Sequence, residues 1–294
     1  MTPIRTVDSV KLVEQGPLRA VLRIERHWSH STFTQDITLY DGIGRVDVRN
    51  EIGWHEKHVL LKAAFPLAAS STEATYEIPY GAIQRPTTRN NPVEQAKFEV
   101  PALRWADLGD SQHGFSLLND SKYGYDAVGN LLRLSLLRSP TYPDPNADQG
   151  TQRFTYSLYP HPGGWQQAMT MRKGYEFNYG LTAMQTSGHA GALKTAQSFV
   201  SVDGGNVVLT AMKKAEQSND LILRLFEWQG KAATVRIMAP GVPVSAEEVG
   251  MMEQEGLGAL PLSDGKISLD IKPYQIRTIR VHYADTAQLW AATK

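Results

Sequence analysis

Two stretches concentrate the side chains that could act on a polar ligand. LLNDSKYGYDAVGN, residues 117–130, sets Asp, Lys, Asn and two tyrosines, Tyr123 and Tyr125, in a turn-rich connection. SPTYPDPNADQGTQRF, residues 139–154, adds Asp144, Asp148, Gln149 and Arg153. Carboxylates, amides and aromatic rings on loops held by a rigid sheet are the groups that read sugar hydroxyls and stack on pyranose faces. Sugar hydrolysis further requires two carboxyl groups about 5–10 Å apart, and loop aspartates often do no more than cap their own turns. Residue types alone leave both a sugar-reading surface and an ordinary polar loop open.

Other motifs are weaker. His55 and His58 in WHEKH lack the i, i+4 helical spacing of a zinc protease. On a strand, i and i+3 point to opposite faces, so they read as two ordinary histidines. No G-x-G-x-x-G, G-x-x-x-x-G-K-[ST] or G-x-S-x-G sequence occurs, which removes support for a phosphate loop or a nucleophile elbow. Asn119-Asp120-Ser121 matches a glycosylation acceptor but is expected to be a chance occurrence. Pro140, Pro143 and Pro145 read as a stiff loop between strands.

The elements that must carry these loops have an apolar period of two. Leu221, Leu223 and Leu225 share one face of DLILRLFEW, and Ile267, Leu269 and Ile271 share one face of KISLDIK. Asp41-Gly42-Ile43-Gly44 between TQDITLY and RVDVRNEI reads as a hairpin turn. Helical candidates are few: 211–217, 246–254 and a tail from Ala284 onward. Many short strands with scarcely a helix predict an all-β protein of packed antiparallel sheets. The Ser-, Thr-, Ala- and Gly-rich stretch near 185–205 predicts a boundary. The expected division is a large β domain over 1–200, a small sandwich over 201–285 and a tail over 286–294.

Composition narrows the function. The chain has 294 residues, 30 basic and 30 acidic side chains and no cysteine. Charge balance and a pI near 7.1 remove the broad positive field that non-specific nucleic-acid or membrane-surface binding needs. Disulfides, thiol nucleophiles and Cys-based metal sites are excluded. No apolar run is long enough to span a bilayer. MTPIRTVDSVKLVEQG contains no secretory h-region, so a cytoplasmic location is expected.

Taken in order, VEQGPLRAVLRIER, WHEKHVLLKAAFPL, TYEIPYGAIQRPT, EVPALRWADLGD, GFSLLNDSKYGYD, LLRLSLLRSPTYPDPNADQG, FTYSLYPHPGGW, VVLTAMKKAE, LILRLFEWQG and IKPYQIRTI resemble the C-terminal portion of bacterial and fungal-type glycoside hydrolase family 38 α-mannosidases. The resemblance covers nearly the whole chain. LLNDSKYGYD followed by LLRSPTYPDP is its most specific part.

The resemblance implies a large antiparallel supersandwich like that of galactose mutarotase, lacking its first strands, followed by a smaller β-sandwich. It also implies a retaining, zinc-dependent enzyme whose nucleophile, acid/base and zinc ligands lie on a preceding catalytic domain. None of those motifs occurs here, so this stretch is expected to hold no cofactor of its own, with zinc belonging to the full-length enzyme, and to be inactive alone. One loop of the family's large domain reaches over the mannose site, and its counterpart is Pro140 to Gly150. Where relatives carry Arg-Gly, this chain has Gln149-Gly150. The resemblance therefore nominates Asp144, Asp148 and Gln149 as substrate-facing, with Tyr123 and Tyr125 behind them. The implied partners are an α-mannoside and the chain's own N-terminal catalytic domain, without nucleic acid or membrane; homo-oligomerisation stays open.

Two rival functions remain. A mutarotase-like sugar epimerase would need a His acid and a Glu base converging on one sugar, with His113, His161, Glu77 and Glu99 available. A stand-alone carbohydrate-binding module would show an exposed aromatic platform, with Trp54, Trp105, Trp165 and Trp228 as candidates.

Overall fold

A computed structural model describes residues 2–191 and 194–285. The expected tail over 286–294 lies outside the described residues. The chain divides into two compact units, residues 1–182 and 183–294.

The first unit opens with β1 (Ser9–Gln15), β2 (Arg19–Trp28), β3 (Ser31–Tyr40), β4 (Val46–Trp54) and β5 (Leu61–Pro66). It continues through β6 (Glu73–Ile78), β7 (Gly81–Pro86), the one-turn helix α1 (Pro92–Gln95), β8 (Val100–Pro101) and β9 (Trp105–Gly109). It closes with β10 (His113–Asn119), β11 (Gly124–Val128), β12 (Leu131–Leu137), the long β13 (Gly150–Pro162) and helix α2 (Thr170–Asn178). A nine-stranded sheet has the order β1-β2-β3-β4-β13-β10-β9-β6-β7, and a four-stranded sheet has the order β5-β12-β11-β8. Every pairing is antiparallel.

Alternation makes the sandwich. In LLRLSLL of β12, Leu132, Leu134 and Leu136 enter the core, while Arg133 points away and pairs with Asp126. Val48, Ile52, Leu117 and Phe154 of the large sheet meet Tyr125, Ala127, Leu132 and Leu134 of the small one in a single apolar cluster. The opposite face of β9 and β10 is covered by the segment after β13. Trp105 and Trp165 rings lie 5.0 Å apart. A Cβ on Gly174 of α2 would sit 3.0 Å from the Trp105 ring.

Sequence periodicity does not reveal α2. Its N-cap, Met169, has φ 57° and makes no side-chain capping bond, so the capping signal is absent. The helix is held instead by burial of Met171 and Gly174.

The second unit contains β14 (Ser201–Asp203), β15 (Val207–Lys214), β16 (Leu221–Glu227), β17 (Ala233–Met238) and β18 (Ser245–Val249). Then come β19 (Gly256–Ala259), β20 (Leu262–Ser263), β21 (Lys266–Ile271) and β22 (Ile276–His282). Sheets β14-β17-β21-β20 and β15-β16-β22-β18-β19 share a second core containing Leu221, Leu223, Leu225, Ile267, Leu269 and Ile271. The all-β, two-sandwich expectation is met. The helical candidates 211–217 and 246–254 are not helices: they coincide with β15 and β18 and the turns that follow, because cross-strand pairing supplies what a short uncapped helix lacks.

Gly114 faces Gly109 on one side and His161 on the other. A Cβ there would stand 2.1 Å from His161 Cε1 and 2.7 Å from the Gly163 carbonyl oxygen. Gly114→Ala is expected to cost about 1–3 kcal/mol by forced displacement of packed atoms, measured by urea unfolding. Unchanged stability would refute this account of the β9–β10–β13 packing.

Candidate functional site

Three connections meet at one end of the large sheet: the β2–β3 turn, the β4–β5 loop and the β12–β13 loop. Pairing of Gly150 with Trp54 and of Thr32 with Gly53 brings them together. His55 and His58 lie on the β4–β5 loop and are both exposed, rather than on a strand.

The β12–β13 loop is fastened from inside. Asp148, with φ 64°, turns its Oδ2 back to accept the backbone N–H groups of Arg138 and Ser139 at 2.8 Å each. Ser139 is fully buried. Its hydroxyl accepts the Trp54 indole N–H, and its carbonyl accepts His58 N–H at 2.9 Å. Gln149 Nε2 donates to the Glu56 carbonyl oxygen at 2.7 Å. The Glu56 carboxylate in turn accepts His30 N–H at 2.8 Å and the Ser31 hydroxyl at 2.9 Å. Thus one buried acid ties the β2–β3 turn to the segment that receives Gln149.

Burial opposes the charge on Glu56, but the bonds from His30 N–H and the Ser31 hydroxyl outweigh it and hold the carboxyl below its ordinary range. Four of the nine non-glycine residues with positive φ among the described residues, Ser29, His58, Ser139 and Asp148, lie in these three connections. Such backbone persists only where surrounding bonds over-determine it, which is common at ligand-binding loops.

The nominated residues therefore take different roles. Asp148 and Gln149 face inward and fasten the loop. Asp144 is exposed and caps its own turn by accepting Asn146 N–H at 2.8 Å. Tyr123 is 58% exposed. Tyr125 is corrected from surface to core: it is 0% exposed, its hydroxyl bonded to Asn119. Burial raises its pKa, so it stays a neutral phenol.

Lys122 links the two polar stretches. Its Nζ lies 4.4 Å from the Phe154 ring centroid. Burial lowers its pKa, while Asp148 and Asp120 act in the opposite direction. The Asn119 amide nitrogen is consumed by Leu103 O and Tyr125, so this acceptor sequence is closed to modification in the folded chain.

Sequence reasoning passed over Glu56, Ser31 and Tyr142. Tyr142 is 88% exposed at the loop tip, beside Thr141, whose hydroxyl lies 3.4 Å from His58 Nε2. Its signal was present but masked by the flanking prolines. Tyr142, Asp144 and His58 are each exposed on these connections, as one stacking ring, one acceptor and one imidazole.

Of the epimerase candidates, His113 is exposed, and the other three are engaged elsewhere. His161 Nε2 lies 2.8 Å from Asp107 and 2.9 Å from the Ser116 hydroxyl, all buried. Burial raises the Glu77 carboxyl despite its ion pair with Arg104. Glu99 pairs with Lys62. Of the tryptophans weighed as a platform, Trp54, Trp105 and Trp228 are fully buried and Trp165 is 7% exposed. The resemblance implies zinc, yet among the described residues no three His, Asp or Glu side chains could hold a metal ion. These residues do not fit that group.

The architecture is thus two successive antiparallel sandwiches, with a fastened loop at one sheet end of the first. Residues 2–146 match the Glycosyl hydrolases family 38 C-terminal domain, and residues 206–279 match the Glycosyl hydrolases family 38 C-terminal beta sandwich domain; the chain belongs to this family as its C-terminal region. It is 39% identical to Alpha-mannosidase 2C1 of Mus musculus over 85% of this chain and 24% of that protein. It is 33% identical to Alpha-mannosidase G of Dictyostelium discoideum over 92% of this chain and 26% of that protein. The chain thus spans about a quarter of the length of these relatives. The crystal structure of an alpha-mannosidase from Enterococcus faecalis V583 superposes with TM-score 0.80 and 17% identity over 94% of this chain and 35% of that one. No helix among the described residues is long and apolar enough to cross a membrane.

Glu56→Ala is expected to cost about 1–3 kcal/mol by leaving buried donors unpaired, read by urea unfolding, and to expose the 138–150 loop to protease. Because the folded pKa of Glu56 is depressed, its contribution is complete above the unfolded value of about 4.3 and is lost as pH falls through the folded value. Loop protection should therefore decline below about pH 4 in the wild type and decline less steeply there in Glu56→Ala, where the Asp148 fastening remains. Equal acid sensitivity in both proteins would contradict the assignment.

Proposed function

We propose that this chain is the C-terminal β region of a retaining, zinc-dependent α-mannosidase, where the 138–150 loop walls the mannose site. The observation that carries the reading is the pair of family matches and α-mannosidase relatives over nearly the whole chain, joined to a loop fastened by hydrogen bonds to main-chain groups yet exposed at its tip. The loop's chemistry supports a wall rather than a reacting centre. Asp148, one of its two aspartates, turns one carboxylate oxygen onto two backbone donors and so serves to fasten the loop. Tyr142 can cover a pyranose face and Asp144 can accept a sugar hydroxyl, both from a base that does not have to reorganise.

Retaining hydrolysis passes through an oxocarbenium-like transition state, favoured when the sugar is held and water excluded. A sandwich edge provides both without supplying acid or nucleophile. The zinc, with its ligands, belongs in this reading to the preceding catalytic domain. A chain of this kind needs no cofactor of its own, acts on α-mannosides only within the longer enzyme, and shares that enzyme's compartment, expected to be the cytoplasm.

The purified chain, supplied with zinc and an aryl α-mannoside, should show no turnover. Rates near the usual enzymatic ~1–10³ s⁻¹, with contamination excluded, would overturn the reading. In the full-length enzyme, Tyr142→Ala and Asp144→Ala should each lower kcat/KM by about tenfold, as loss of one positioned contact predicts. Unaltered kinetics in both would remove the loop from the site.

A further inference from the structure

The second unit carries a built cavity that the loop of the first unit does not account for. Its volume is about 620 Å³, within the ~300–1,000 Å³ of ordinary small-ligand sites. The floor is the face of β16 and β22 opposite their core leucines and isoleucines, and the walls are the β15–β16 turn and the β18–β19 turn.

Both floor arginines are locked. Arg224 donates to the Met251 carbonyl oxygen at 2.8 Å and to the Thr278 hydroxyl at 3.2 Å. Arg280 donates to the Glu253 carbonyl oxygen and, at 2.8 Å, to Glu247. The wall is fastened as firmly. Glu253 has φ 64° and is 8% exposed. Its carboxylate meets Lys213 at 2.9 Å and accepts Glu216 N–H at 3.1 Å. The Lys213 bond holds Glu253 below its ordinary pKa, and Glu216 and Glu253 hold Lys213 above its own. The cavity wall is thus held in place by its own bonds.

The lining decides the ligand. Three cations, Lys213, Arg224 and Arg280, and three carboxylates, Glu216, Asp220 and Glu253, line it, with Lys213 paired to both Glu216 and Glu253. With no excess of either sign, the cavity offers an ion no net attraction. Interleaved donors and acceptors instead match hydroxyl groups, each of which donates one hydrogen bond and accepts others. The Gln217 and Gln254 amides add further groups of both kinds at the rim. Met251 and Met252, 50% and 75% exposed, supply polarisable apolar surface for the C–H face of a sugar ring. We infer that this cavity binds a neutral oligosaccharide of two or three residues, making the small sandwich a carbohydrate-binding unit in its own right. The choice of a mannose probe below rests on the α-mannosidase reading, whereas the ligand class rests on the lining alone.

The test titrates the 294-residue chain, labelled at methionine methyl groups, with α-mannotriose, with maltotriose and with inorganic phosphate. The expected result is movement of the Met251 and Met252 methyl resonances with at least one trisaccharide. The paired substitution Gln217→Ala with Gln254→Ala, both at exposed rim positions, should weaken binding about tenfold. Tyr142→Ala in the other unit should leave it unchanged. Binding of maltotriose but not α-mannotriose upholds the cavity while counting against mannose as its sugar. Phosphate moving these methyls where neither sugar does, sugar binding indifferent to the rim substitutions, or no sugar binding would overturn the inference.

Discussion

Burial of one face of each sheet is the constraint on which the polar features depend. In the first unit, Trp54, Leu117, Tyr125 and Leu134 are fully removed from water between two sheets. At about 25 cal/mol per Å² of apolar surface, that burial dominates the favourable side of folding and sets the register of every strand. Slipping β4 by one residue would turn Val48, Ile52 and Trp54 outward and Arg49 and Glu51 inward. The loops are therefore carried on strand ends whose positions cannot drift.

On that base, the site end is built by backbone donors and buried oxygens rather than by surface ion pairs. Asp148 and Glu56 both act as anions that accept main-chain N–H groups, the stronger class of hydrogen bond. By contrast, Arg153–Glu51 is largely exposed, and solvent-screened pairs of that kind add little. The positive φ angles at Ser29, His58, Ser139 and Asp148 are sustained by this bonding. The second unit repeats the device at Glu253, where a strained turn is pinned by a lysine and a backbone donor.

A wall that holds its shape before ligand arrives spares the complex the entropy of ordering a loop. In the proposed role, this is the physical advantage of carrying substrate-contacting groups on a sandwich edge apart from the reacting groups. It also explains why the two aspartates of one loop are not equivalent. Asp148 spends its charge on rigidity, and Asp144, four residues earlier, is left outside.

Much of the architecture was legible in the chain itself. Alternation at 221–225 and 267–271, the turn residues at 41–44 and the absence of cysteine depend on local chemistry, and they determined an all-β, disulfide-free protein of paired sandwiches. The ordered run of motifs determined the family. What the sequence left open depended on partners distant along the chain. Tyr123 and Tyr125 are alike in composition and spacing, yet pairing of β11 with β12 sends Tyr125 into the core. WHEKH shows two histidines and an acid, but only the approach of Ser31 and Gln149, 25 and 93 residues away, makes Glu56 a latch instead of a ligand. α2 carries no capping signal and is formed by what it covers. Local patterning decides which faces are dry; only tertiary pairing decides which polar group each loop residue meets, because those meetings are set by strand order and not by neighbours in sequence.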